Sequence, residues 1–223
     1  MEVSLQQKGD GNHGFKNHAR DHSQSNCREL VHRRANIIFS GERCSGCGLT
    51  KNKSHFFKGE VQSYTRYIDY EGFLDTYQSE RNSPYVLGYY THLIADDIWL
   101  RGFNLPWLRN RMEADPQLYD VSHQDFRLLN GKLLEHYGCT DELKRVLSHV
   151  PAIVDLEEVK REDVEVFVPY VLNDMDYDKE AIHENLHLFT MVQIIGYIET
   201  SVELGIMKLE PVLSTMEAGR SRI

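Results

Sequence analysis

From Leu49 onward, apolar side chains recur every three or four residues and no stretch alternates convincingly at period two, which restricts the chain to helices packed on helices. The expected class is therefore all-α, a single multi-helix domain over residues 49–215. Residues 61–78 carry Tyr64, Tyr67, Ile68, Tyr70, Phe73, Leu74 and Tyr77 near a 3.6-residue period and should be helical. Ser83 followed by Pro84 is a good cap and first-turn pair, opening a helix to about Arg101 that Gly102 ends. Ser122 and Asp125 read as a capping-box variant for a helix ending at Gly138, and Thr140 with Asp141 opens another through about His149. Residues 161–175 should be helical with a kink or break at Pro169. A last long helix is expected over residues 177–207, with Ile182, Leu186, Phe189, Val192, Ile195, Ile198, Val202 and Ile206 facing the core. No internal repeat is detectable.

Residues 1–48 differ in kind. Gly, Asn, His, Ser, Arg and Gln dominate there, and a segment with so little apolar periodicity cannot offset its ordering entropy, so it reads as a disordered or aberrant tail. The whole chain of 223 residues suits one domain with such a tail. Its net charge of -9 argues against a phosphate-backbone partner, which excludes nucleic acid as the expected ligand. No run reaches the roughly 20 apolar residues of a transmembrane segment, and the polar, His-rich start lacks the apolar stretch of a signal peptide. The expected location is cytoplasmic. Cys27, Cys44, Cys47 and Cys139 are too few and too unevenly spread for a disulfide framework, as a reducing compartment implies. Oligomeric state is left open.

The candidate chemistry begins with His92 and Asp96, one helical turn apart, where an imidazole nitrogen and a carboxylate oxygen can grip one metal ion. Alone the pair is cheap: among eleven histidines about one such spacing arises by chance, and an exposed His and Asp on a helix is the commoner object. A rival lies in Ile182-His-Glu-Asn-Leu-His187, a literal H-E-x-x-H of the kind in which two histidines bind zinc and a glutamate activates water. Against this peptidase alternative, no suitable third ligand follows, and His183, Glu184 and His187 also fit the solvent flank of a helix. Asp97 points roughly 100° away from Asp96 on a helix and is expected to be solvated or to support the site. Tyr89 and Trp99 share the stripe of His92 and Asp96 and either line a cleft or join the core.

Read together, Ser54-His-Phe-Phe57 and Tyr85-Val-Leu-Gly-Tyr-Tyr-Thr-His-Leu-Ile-Ala-Asp-Asp97 resemble the zinc-dependent phospholipase C family, also called the phospholipase C/D domain. The resemblance covers residues 49–137. It implies an all-α fold with zinc held between helices, and residue by residue it carries over His55, His92 and Asp96 as ligands. His123 and Asp125 fall where that family adds further His and acidic ligands, although the spacing departs; read from the residues alone, Asp125 caps its helix and His123 is exposed in the first turn. The implied cofactor is zinc, and the implied activity is phosphoester hydrolysis on a phospholipid or a small soluble phosphoester. The alternative for the chain as written is a non-enzymatic, degenerate all-helical binding module.

The N-terminal region departs from that family, which places a histidine soon after the initiator Met and an aspartate in a segment like Gly-Ser-Ile-Ala-Pro-Asp-Ala. Here Phe39-Ser-Gly-Glu-Arg-Cys-Ser-Gly-Cys-Gly48 contains no Asp. Back-translated and read one base later, it permits Phe-Leu-Gly-Ser-Val-Ala-Pro-Asp-Ala, and residues 13–19 permit Met-Ala-Ser-Arg-Ile-Met-His. The expectation is that residues 1–48 are an out-of-frame translation joined to the authentic frame near Leu49. A nucleotide sequence whose shifted frame lacks the Pro-Asp codon pair refutes this. Cys44-Ser-Gly-Cys47 is a lone CxxC without a second pair, and His13, His18, His22 and His32 suggest metal only by composition.

Overall fold

The computed structural model describes residues 54–148 and 152–220. In chain order it contains β1 (Phe57–Lys58), β2 (Tyr67–Ile68), α1 (Tyr70–Thr76), α2 (Pro84–Trp99), a π-helical segment (Leu100–Leu108) and α3 (Arg109–Ala114). Then follow α4 (Gln117–Tyr137), α5 (Thr140–Leu147), α6 (Arg161–Asn173), a 3-10 turn (Glu180–His183) and α7 (Met191–Arg220). Helix predominates, as the periodicity requires. The tail over residues 1–48, its cysteines and the expected end at His149 lie outside the described residues.

Helix α2 is the centre of the packing. Tyr85, Val86, Tyr89, Tyr90, Leu93, Ile94 and Ala95 are all buried, so it is enclosed nearly all round rather than on one stripe. It packs against α1, β2 and α7. Each of its fully buried large apolar side chains contributes roughly 1.5–3 kcal/mol relative to exposure, and Leu93→Ala would cost about 2–5 kcal/mol. Its start at Pro84 follows the Ser83-Pro84 signal, although Ser83 makes no side-chain cap bond. Gly138, at φ +63, ends α4 in the left-handed conformation that favours glycine, its N–H donating to the Leu134 carbonyl. Helix α5 opens at Thr140 as expected. Among the described residues no helix is long and apolar enough to cross a membrane.

Several expectations are corrected, each by a tertiary partner or an unread cap. The helix expected over 61–78 shrinks to α1. Asp69 caps α1 by accepting from Gly72 N, and the preceding residues form an antiparallel ladder with Phe57 opposite Ile68 and Lys58 opposite Tyr67. Gly102 does not stop α2, because the chain continues through the π-helical turns into α3. Pro106 explains the widening: it has no N–H to donate and its ring crowds the carbonyl four residues back. Helix α4 starts at Gln117, whose N–H is taken by Asp115 Oδ1 at 3.0 Å, so the start signal is Asp115-Pro116 and Ser122 lies inside the helix. Ser122 Oγ donates back to the Tyr119 carbonyl instead of capping. Helix α6 runs unbroken through Pro169.

The largest correction concerns residues 177–207, which are helical only from Met191. Thr190 N–H donates to Gln193 Oε1 while Gln193 N–H donates to Thr190 Oγ1, a reciprocal capping box that sets the start. Upstream, the Ile182 carbonyl accepts from Lys132 Nζ and the 187–189 amides turn to Asp125, so the backbone groups of this stretch are satisfied by α4 rather than by a helix of their own. Gly131 permits the approach: a Cβ there would stand 2.8 Å from the Tyr177 ring.

Candidate metal centre

His55, His92 and Asp96 come together. Each offers one ligand atom, and the three atoms lie within 4.8 Å of one another; both histidines are buried while Asp96 keeps 26% of its side chain accessible. Asp96 Oδ2 is the hub, 3.3 Å from His55 Nε2 and 3.2 Å from His92 Nε2. The His92–Asp96 part follows from helix geometry, since residues four apart on α2 share a face. His55 is brought in by the segment leading to β1.

Local structure before β1 orients His55. Ser54 Oγ lies 2.9 Å from His55 Nδ1, which leaves Nε2 toward Asp96. Phe56 has φ +51, an uncommon left-handed conformation for a bulky residue. Its ring meets Phe73 edge-on in the core, while the neighbours His55 and Phe57 stack on each other at 5.6 Å and 9°. Such a conformation costs on the order of 1–3 kcal/mol and persists only where packing over-determines it. Tyr89, one turn before His92, meets that imidazole edge-on and donates its hydroxyl to the Ser54 carbonyl at 2.6 Å. Burial pushes the Tyr89 phenol well above its ordinary pKa, so it remains a donor. Tyr89 is thus core and clamp together, and Ser54 is a supporting residue that spacing alone did not single out.

Asp97 is buried, not solvated. Its Oδ1 accepts from Ile68 N at 2.9 Å and its Oδ2 pairs with Arg101 at 3.3 Å, tying β2 to α2 beside the histidine group. Trp99 stacks on Phe103 at 4.4 Å within a partly buried aromatic cluster that includes Phe126 and Phe189.

His123 and Asp125 are not brought into the His55–His92–Asp96 group. His123 packs against Tyr119 at 4.4 Å. Asp125 is 0% exposed, and neither caps its own helix nor faces the two imidazoles. Its carboxylate accepts from the backbone N–H groups of His187 (2.9 Å), Leu188 (2.7 Å) and Phe189 (3.0 Å). Burial raises its pKa, but these donors outweigh that and hold it below the ordinary carboxylate value. The H-E-x-x-H stretch fails its structural requirement: Glu180–His183 is a 3-10 turn and Glu184 is extended, so His183 and His187 do not share a helical face. Among the described residues neither belongs to a metal-holding group.

Chemically, two imidazole nitrogens and one carboxylate oxygen converging on a partly accessible point could hold a divalent metal ion. Comparison with protein-family models, with curated proteins and with solved structures finds no match.

Proposed function

We propose that the chain is a zinc-dependent hydrolase of phosphoesters, similar to the zinc-dependent phospholipase C family, acting on a phospholipid or a small soluble phosphoester. The observation that carries this reading is the convergence of His55, His92 and Asp96 from two separate segments. The donor types suit zinc, and the three ligand atoms lie within 4.8 Å of one another; in a tetrahedral site with bonds of about 2.0–2.1 Å, neighbouring donor atoms stand about 3.3–3.4 Å apart, a value that the two separations from Asp96 match. The two imidazoles stand 3.3 and 3.2 Å from Asp96 Oδ2.

In this reading His55 and His92 bind through Nε2 as neutral imidazoles, and Asp96 supplies the anionic ligand. With Nδ1–H donating to the Ser54 hydroxyl, the Nε2 lone pair of His55 is left for the metal, and Tyr89 holds the Ser54 backbone in place. When bound, zinc supplies Lewis-acid polarisation of a phosphoryl oxygen and lowers the pKa of water toward neutrality. The accessible edge of Asp96 leaves an approach for substrate.

Metal analysis and hydrolysis of bis(p-nitrophenyl) phosphate by the purified full chain test this. The expected outcome is stoichiometric zinc with activity that a chelator abolishes and zinc restores. His92→Ala should remove both, by more than the roughly 10–100-fold that outer partners of a metal site are worth. A well-folded, metal-free protein, or hydrolysis indifferent to chelation, contradicts the reading.

A further inference from the structure

Ile68 is 2% exposed, so its backbone N–H needs a partner inside the protein. The ladder does not supply one. Asp69 N–H donates to the Phe56 carbonyl at 2.9 Å, so Phe57 and Ile68 oppose each other as the pair that exchanges no hydrogen bond, and the Ile68 N–H points out of the ladder. Asp97 on α2 takes it through Oδ1 at 2.9 Å. Its Oδ2 accepts from Arg101 at 3.3 Å, so both oxygens are engaged and Asp97 stays outside the ligand group to which its neighbour Asp96 belongs.

What this bond fixes is the place of His55. Two residues before Phe57, His55 lies on the same side of the segment, and its ring stacks on Phe57 at 5.6 Å and 9°. Phe57 refers the imidazole to Ile68, and Ile68 refers it to Asp97. The upstream end of the segment is fixed by Tyr89, whose hydroxyl donates to the Ser54 carbonyl at 2.6 Å. Tyr89 and Asp97 lie on α2 on either side of His92 and Asp96, so one helix carries two of the ligands and two anchors that bring the third to them. The adjacent aspartates divide the work: Asp96 meets the imidazoles, and Asp97, about 100° round the helix, meets the strand.

We propose that Asp97 is a positioning residue of the metal centre. By holding the Ile68 N–H it sets where His55 Nε2 stands relative to Asp96 Oδ2, and so how tightly the site holds a divalent ion, without touching that ion. This role rests on the metal-binding part of the reading above and not on hydrolysis. Ligands of a metal must be held within about 0.5 Å of the productive geometry by partners of this kind, and a hydrogen bond to the helix that carries the other two ligands fixes that separation directly.

Three substitutions in the full chain separate position from charge. Asp97→Asn keeps a carbonyl oxygen for the Ile68 N–H and drops the charge, Asp97→Glu keeps the charge and moves the acceptor by one methylene, and Asp97→Ala removes both. Zinc affinity is read by competition with a chromophoric chelator. Asp97→Ala and Asp97→Glu should weaken it by about 10–100-fold, and Asp97→Asn should recover most of that loss. X-ray absorption of zinc-saturated Asp97→Ala should show one imidazole fewer than the wild type, which lowered stability alone does not produce in a folded protein. Nitrogen NMR of the chelator-treated protein gives a readout without metal: the His55 ring signals should move in Asp97→Ala and return in Asp97→Asn. Thermal melts identify a variant that has lost its fold; if that is Asp97→Ala, the contrast between Asp97→Asn and Asp97→Glu decides alone. Zinc affinity lost in Asp97→Asn but kept in Asp97→Glu assigns the effect to charge and overturns the proposal. Affinity unchanged in all three variants, or His55 signals that stay in place in Asp97→Ala, overturns it equally. A wild type that binds no zinc, with His55 signals that respond to Asp97→Ala and recover in Asp97→Asn, overturns the metal reading and leaves Asp97 as the residue that sets His55.

Discussion

Asp96 on α2 meets two imidazole nitrogens and keeps 26% of its side chain accessible, whereas Asp125 on α4 is fully enclosed and meets three consecutive backbone amides. Both are helical aspartates with a histidine nearby: His187 Nδ1 stands 3.6 Å from Asp125. What surrounds each carboxylate separates them. Backbone N–H groups satisfy a charge permanently and make it part of the fold. Imidazole nitrogens converging on an accessible oxygen form a donor set that a cation can complete. Asp96 therefore belongs to the candidate chemistry and Asp125 to the architecture.

Neutralising each aspartate should give opposite profiles. Asp96→Asn is expected to lower zinc affinity by more than about 100-fold, beyond the range of outer-partner losses, while shifting the stability of the metal-free protein by less than about 1 kcal/mol, as for an accessible ion pair. Zinc at 100 times its dissociation constant should stabilise the wild type by about 2.7 kcal/mol and Asp96→Asn hardly at all. Calorimetric zinc titration and thermal melts read both. An Asp96→Asn protein that keeps its zinc, or fails to fold, breaks the contrast.

Asp125→Asn should do the reverse. Buried donors would face an amide, costing about 2–4 kcal/mol, with zinc affinity unchanged. The pH dependence has a definite sign. The folded pKa of Asp125 lies below the unfolded value of about 3.9, so its stabilisation is complete above that value and is lost as pH falls through the folded one. Urea unfolding should show the full deficit of the variant at pH 7 and a narrowing gap below about pH 4. A deficit that stays constant into acid would mean that charge at Asp125 is irrelevant.

The same contrast separates what local sequence reveals from what it hides. Ser83-Pro84, Gly138 and Thr140 mark element ends through their own backbone preferences, and the structure has those ends. The His92–Asp96 spacing was legible because one helix holds both residues. His55 follows only from the family resemblance, since no spacing rule links a residue before β1 to His92 on a distant helix. Asp125 shows its role poorly in sequence because the amides it accepts from lie more than sixty residues away. The apolar positions Ile182, Leu186 and Phe189 imitate a helix that α4 prevents by taking up the backbone groups between them. Thr190 and Gln193 were a readable start signal that the longer periodic pattern obscured.

Smaller effects sharpen the comparison further. Ser54→Ala should weaken zinc binding roughly tenfold by freeing the His55 ring, at the low end for a residue that orients a ligand. His183→Ala and His187→Ala should leave zinc content unchanged and alter stability by no more than about 0.5 kcal/mol, as exposed positions do. Loss of zinc in either would restore the H-E-x-x-H alternative.

The most direct test of the metal centre is zinc X-ray absorption on the purified full chain. The account predicts a first shell of nitrogen and oxygen alone at about 2.0–2.1 Å with imidazole scattering behind it, lost in His92→Ala. Sulfur at about 2.3 Å, which would point to the cysteines, or a spectrum unchanged by His92→Ala, would contradict it.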